Sequence, residues 1–485
     1  MTSLTYRADL DGLRAIAVYL VLLFHAGMVT VGGGFIGVDL FFVLSGFLVT
    51  GVLLREVDQR GTFALGAFYA RRVRRLLPAA VVVIVATAAF QLLVGSLPAR
   101  MELVDDAQAS LLYVVNWHFI LESRDYFGAE LGESTSPFLH FWSLAIEEQF
   151  YVFYPLLVLL VLRLAARPMR ALAVVLTVLM VASVGLQVWR AASDAGYAYY
   201  ASETRLYQLV AGALLALAVC SATQRVSRRG ALVAASGGVV GLVALLLVAS
   251  RWVEVSPSTR GLLATVAGVL LIAGLWFAPQ GRLARLLGLP LPRFLGQISY
   301  GTYLWHWPVL LVVLQVFDVR PLVAAVVGAV VATALAALSF TVLERRIRHA
   351  PHLAGGRWSV AVGGVTVSAL VAVLVVAPVL ETDRRPALAT ADIEAAAPAA
   401  SALDRPVPQG LDLVAAKADV GPGTPMCTPE ALDARVRVRG DGAHVLLLGD
   451  SQARMYVPAL EKLARRHDLT LSTNVVPACA WQLGQ

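Results

Sequence analysis

Arg14 and His25 stand eleven residues apart in the first apolar stretch of the chain. Eleven residues of α-helix make three turns with about 20° of drift, so the two side chains share one face about 16 Å apart along the axis. Ionisable groups inside a bilayer are costly unless they are paired or face a cavity, which makes each one a functional candidate. A guanidinium can hold phosphate or carboxylate bidentately, and an imidazole can move a proton near neutral pH. A snorkelling arginine or a histidine bonded between helices would explain either residue alone; the two together point to function.

Further candidates follow in chain order. Gly32–Phe47 combines glycines, which permit close helix approach or a break beside a cavity, with Asp39, which either orients His25 or pairs with an arginine. Arg72 and Arg75, in Tyr69–Pro78, lie one helical turn apart and form a two-pronged anion site as well as a topology signal. Glu147 and Glu148 are adjacent, and neighbours on a helix point about 100° apart, so one acid is expected to be catalytic or substrate-orienting while the other caps or pairs elsewhere. Tyr303, Trp305, His306 and Trp307 near the end of an apolar span read as interface anchors. Gly449-Asp450-Ser451 falls between a β-like run, His444–Leu448, and a helical pattern reaching Arg466, where a serine hydroxyl sits beside helix amides.

The elements that must position these residues are membrane helices. With 58% hydrophobic and 15% charged residues and a mean hydropathy of +0.74, the 485-residue chain is too apolar for soluble domains. Coiled-coil, collagen-like, disulfide-stapled and wholly disordered chains are excluded by the same composition. Runs of roughly 20 residues, enough to span about 30 Å of hydrocarbon, occur near 12–30, 36–54, 76–97, 138–162, 171–189, 205–221, 231–250, 260–278, 298–317, 321–343 and 358–380. Ala107–Ile120 is apolar but short, and is expected to be interfacial or re-entrant. The first run lacks a cleavage site and reads as a helix rather than a signal peptide.

Arginine placement gives the orientation. With the N-terminus inside, inward loops hold nineteen arginines and outward ones seven, the alternation expected of cytoplasmic and external loops. The net charge of +7 therefore reads as topology rather than nucleic-acid binding. An odd number of spans puts everything after Leu380 outside the cytoplasm. There Glu381–Pro425 reads as a linker, and a β–turn–α–β opening begins near Cys427, which with Cys479 could form one disulfide. About 60 residues of this second domain are too few to close a doubly wound α/β fold, so only its first part is expected here.

Arg14 and His25 with ten residues between, Gly33–Phe47, Arg72 and Arg75, Trp142–Tyr151 and Ile298–Pro308, in this order, resemble the membrane-bound acyltransferase 3 family over roughly residues 5–350. The eleventh span and the Gly-Asp-Ser turn resemble the bacterial subgroup that fuses this domain to an extracytoplasmic SGNH-type domain, as in O-antigen, peptidoglycan and other cell-envelope O-acetyltransferases.

The resemblance implies an all-α polytopic bundle, about ten core helices plus one linking helix, followed by a partial α/β domain. Its boundaries would be 1–350, 351–380, a linker at 381–426, and 427–485. It implies an enzyme of the bacterial cytoplasmic membrane that takes an acyl group from cytoplasmic acyl-CoA, most often acetyl-CoA, and places it on an extracytoplasmic glycan hydroxyl, without a metal. His25 would be general base or transient acyl acceptor, Arg14, Arg72 and Arg75 would bind CoA phosphates or orient the donor, and Ser451 would attack the acyl group and deliver it to sugar. The Asp-x-x-His segment of SGNH domains does not follow the Gly-Asp-Ser turn here. Two other classes fit many spans with buried charges: a transporter or flippase for an envelope precursor, and a membrane-anchored esterase using Ser451 alone.

Overall fold

Backbone amides in hydrocarbon have no water to bond, so apolar runs of this length close their hydrogen bonds internally as helices. The computed structural model describes residues 6–122, 126, 136–221, 227–317, 319–348, 350, 357–382, 436–449 and 456–475. The chain divides into two compact units, Met1–Ala391 and Asp392–Gln485.

The first unit is helical. It runs through α1 (Ala8–His25), α2 (Gly37–Arg60), α3 (Leu65–Val94), α4 (Leu97–Leu111), α5 (Val115–Leu121), α6 (Phe141–Leu164), α7 (Pro168–Ser193), α8 (Ala195–Tyr200) and α9 (Ser202–Ser221). It continues through α10 (Arg228–Ala249), α11 (Pro257–Phe277), α12 (Arg282–Leu287), α13 (Pro290–Gln297), α14 (Ser299–Val316), α15 (Pro321–Ser339), α16 (Arg345–Arg348), α17 (Arg357–Val371) and α18 (Ala377–Glu381). Wider π-turns, Phe340–Glu344 and Ala372–Val376, join α15 to α16 and α17 to α18.

Among the described residues nine helical segments are long and apolar enough to cross a membrane. The other two expected spans exist as helices but are more polar: α1 carries Asp9, Asp11 and Arg14, and the first half of α14 carries Ser299, Thr302 and His306. The apolar stretches of α2, α6, α8–α9 and α11 are 50–78% buried within the protein, against 22–33% for α3, α7, α10, α15 and α17–α18. This separates an inner layer, which also holds the mostly buried α1 and α14, from an outer one. The stretch 107–120 is broken at Tyr113 (φ 55°) between α4 and α5.

Close approach inside the inner layer depends on small residues. A Cβ on Gly46 of α2 would lie 1.7 Å from the Leu209 carbonyl of α9, and one on Gly212 would lie 1.9 Å from the Val43 carbonyl of α2. The two glycines face each other's helix and let the backbones touch. In α14, Pro308 has no N–H to give the carbonyl four residues back, so Leu304 O is free, and His140 Nε2 takes it at 3.0 Å.

The second unit holds β1 (Val436–Val438), β2 (His444–Gly449), α19 (Val457–Arg466) and β3 (Thr470–Val475). The sheet order is β1-β3-β2; β1 is antiparallel to β3, and β2 is parallel to it, from His444 opposite Thr470 to Gly449 opposite Val475. Parallel neighbours need a crossover, and α19 supplies it over a small core of Val438, Ala464 and Leu471. The β–turn–α–β reading therefore agrees with the structure in type and order. Cys427, Asp450, Ser451, Cys479 and residues 383–426 lie outside the described residues.

Candidate functional site

One cavity of about 880 Å³, within the usual range for small-molecule sites, opens among the N-terminal half of α1, the length of α2, the start of α3, the first half of α6 and the α13–α14 corner. Nine arginines line it, Arg7, Arg14, Arg55, Arg60, Arg71, Arg72, Arg75, Arg293 and Arg348, against three carboxylates, Asp11, Glu56 and Glu147. Within this set Arg71 pairs with Glu56 at 2.7 Å, and Arg7 pairs with Asp9. Arg75 sits within electrostatic reach of Arg14, Arg72 and Arg348. Crowded like charges in a partly desolvated pocket favour a multiply anionic ligand.

Arg14, Arg72, Arg75 and Glu147 thus meet in one place although α1, α3 and α6 bring them from distant parts of the chain. Arg72 lies over the Tyr151 ring, 4.4 Å from its centroid. Glu147 accepts hydrogen bonds from Ser45 Oγ and the Tyr151 hydroxyl. Glu148, the next residue on α6, is not among the residues lining the cavity but lies within electrostatic reach of Arg72, Arg75, Tyr113 and Tyr300. Glu344, which the sequence reading passed over, lies beside Arg75 and Arg348 from the π-turn after α15.

His25 is elsewhere, at the last turn of α1, eleven residues and about 16 Å of helix rise from Arg14. It is 8% exposed and bonded on both ring nitrogens, Nδ1 to His306 Nε2 at 2.9 Å and Nε2 to the Tyr126 hydroxyl at 2.7 Å. Burial holds the Tyr126 phenol above its ordinary range, so it stays protonated. Trp307 packs on His25 with ring centroids 4.6 Å apart, and its Nε1 donates to Ser136 O at 2.9 Å. Tyr303, His306 and Trp307 are therefore core rather than interface anchors, with His306 fully buried and Trp307 3% exposed, while Trp305 is half-buried. Helical placement between two tryptophans, two residues before a proline, was the only sequence signal available for His306.

The cavity and the histidine cluster share one side chain. Tyr303 lines the cavity with Ser143, and their hydroxyls are 2.7 Å apart. The same ring lies 5.1 Å from His306 and 5.6 Å from His140. Asp39 does not orient His25: it pairs with Arg205 at 3.2 Å, accepts from Gln208, and is fully buried. His118 links α5 to α4 through Asp106 at 3.0 Å, with Glu122 at 3.4 Å.

Comparison with known proteins agrees with this chemistry. Residues 7–341 match the acyltransferase 3 family, described as an acyltransferase domain. The chain is 34% identical over 351 residues to the peptidoglycan O-acetyltransferase OatA of Listeria monocytogenes, covering 71% of this chain and 56% of that protein. It is 35% identical over 356 residues to the putative peptidoglycan O-acetyltransferase YrhL of Bacillus subtilis, covering 71% and 55%. A putative O-acetyltransferase of Staphylococcus aureus is 32% identical over 63% of this chain and 51% of its own. The chain spans about half the length of the curated relatives it matches. No solved structure matches it.

Proposed function

This chain belongs to the acyltransferase 3 family, and on that premise we propose that it carries an acetyl group from cytoplasmic acetyl-CoA to a hydroxyl of an extracytoplasmic cell-envelope glycan, with peptidoglycan the first candidate. One arrangement carries the reading: a cavity with nine arginines at one end of α1, and His25 at the other end of the same helix. CoA is polyanionic and would be very costly to desolvate, whereas an acetyl group is small and neutral. Holding the donor on the arginine-rich side and passing on only the acyl fragment avoids that cost.

In this reading Arg14, Arg72 and Arg75 grip the phosphates, and Glu147, held by Ser45 and Tyr151, orients the donor end. His25 acts at the far side as general base or transient acyl acceptor. The N-terminus and the arginine-rich loops face the cytoplasm. The β2–α19–β3 unit is the opening of an SGNH-type domain, with Ser451 delivering the acyl group to the sugar.

The test is acetyl transfer by the full chain reconstituted in vesicles, with labelled acetyl-CoA on one side and glycan oligosaccharides on the other. His25→Ala is expected to lose transfer by about 10²-fold or more while still binding acetyl-CoA. Wild-type transfer by a correctly inserted His25→Ala protein overturns the reading, and movement of an intact solute without consumption of CoA establishes a transporter instead.

A further inference from the structure

We infer that His306 is the positioning partner of His25: it fixes the tautomer that leaves Nε2 of His25 as the reactive nitrogen, so that α1 and α14 together build a buried histidine–histidine dyad. This deepens the acetyl-transfer reading and rests on it.

A backbone carbonyl sets the protons. Tyr303 O contacts Nδ1 of His306, three residues further along α14. A carbonyl oxygen can only accept, so Nδ1 of His306 carries hydrogen. A proton on both nitrogens would place a cation in a fully buried site, a costly state, so the ring is neutral and its lone pair is on Nε2. That lone pair lies 2.9 Å from Nδ1 of His25. His25 must therefore donate there, which places its own lone pair on Nε2, where the Tyr126 hydroxyl donates at 2.7 Å. One carbonyl thus dictates the protons of two rings.

The same geometry assists charge development. When His25 takes a proton on Nε2, its Nδ1–H bond to His306 becomes charge-assisted and strengthens. Catalytic histidines commonly have a third group that orients the base, often a carboxylate. A neutral imidazole does that work without adding a second buried charge at membrane depth. The two rings lie within 18° of parallel, and Trp307 packs against His25, which leaves the dyad little freedom to reorient.

Three variants of the full reconstituted chain test the dyad. His306→Leu removes the acceptor, and kcat is expected to fall about 10²-fold or more with KM for acetyl-CoA unchanged, because His306 is not among the residues lining the arginine cavity. His306→Gln puts a carbonyl oxygen where Nε2 was and should recover about tenfold over the leucine variant, the worth of about 1.4 kcal/mol. His306→Asn is too short to reach and should behave like leucine. In ¹⁵N-histidine-labelled wild-type protein without substrate, the His25 hydrogen is expected on Nδ1.

Wild-type kcat in His306→Leu, a glutamine variant no better than leucine, or a His25 hydrogen on Nε2 each overturns the dyad. Wild-type protein that shows the expected tautomer but transfers acetyl to no glycan overturns the acetyl-transfer reading and leaves the tautomer assignment standing.

Discussion

Replacing Arg75 separates a binding arginine from a structural one. Its guanidinium lies in the cavity near Arg14, Arg72 and Arg348 with Glu344 beside it, so in the empty protein three like charges act on it and an anionic ligand offsets them. A hydrogen bond to a charged group is worth about 1.5–3 kcal/mol, which at about 1.4 kcal/mol per tenfold raises KM for acetyl-CoA in Arg75→Met by about 10- to 150-fold. Arg75→Lys keeps the charge but loses the planar fork and should fall between. Thermal stability measured without donor should rise in Arg75→Met as the repulsion is relieved, while the stabilisation conferred by added acetyl-CoA shrinks. Initial rates across donor concentration and melting with and without donor read these quantities separately. An unchanged KM, or a donor-free protein that melts lower, as loss of a structural arginine would produce, refutes the assignment.

Two further substitutions probe other parts of the same arrangement. Glu147 accepts from Ser45 and Tyr151 and lines the cavity, whereas Glu148 does not line it, so Glu147→Gln should cost transfer about tenfold, one charged hydrogen bond, and Glu148→Gln less; equal losses measured by glycan acetylation would contradict that division. Breaking the buried Asp39–Arg205 pair by Asp39→Leu or Arg205→Met alone should destabilise by about 3–5 kcal/mol, and the double variant should regain most of it; additive losses in thermal denaturation would show that the pair is not a unit.

Much of the membrane unit was legible because helical periodicity and hydrocarbon thickness are local constraints. The first span was read as 12–30 and is observed as Ala8–His25. Asp9 and Asp11 look like a polar flank in the sequence, but acids belong in the first turn of a helix, where they meet the positive end of its dipole. Gly27, at φ 75°, lies just past the other end. Arg72 and Arg75 were legible as a pair for the same local reason. His306 was not, because its partner stands 281 residues away and no spacing rule connects α1 to α14. Composition places Trp and Tyr at membrane interfaces on average; it cannot tell that the inner position of α14 turns these rings inward, where Leu304 O, freed by Pro308, anchors His140.

The distribution of polarity between layers explains how the bundle tolerates so much ionisable chemistry. The two expected spans too polar or too charged to count as lipid-compatible, α1 and α14, are the two that carry Arg14, His25 and His306. Their neighbours α2, α6 and α11 are themselves at least half buried, while the mostly exposed faces belong to α7, α10, α15 and α17–α18. A charge on an inner helix meets protein dipoles and a water-accessible cavity rather than hydrocarbon, and the large desolvation cost is avoided. Tyr303 touches both the arginine-lined cavity and the histidine dyad, its hydroxyl meeting Ser143 at the cavity and its ring lying 5.1 Å from His306. In the proposed transfer the phosphates would stay with the arginines and the acyl group would pass this side chain. Removing that side chain by Tyr303→Ala should relax selectivity for acyl length, read from rates with acetyl-CoA and longer acyl-CoA donors, before it abolishes transfer.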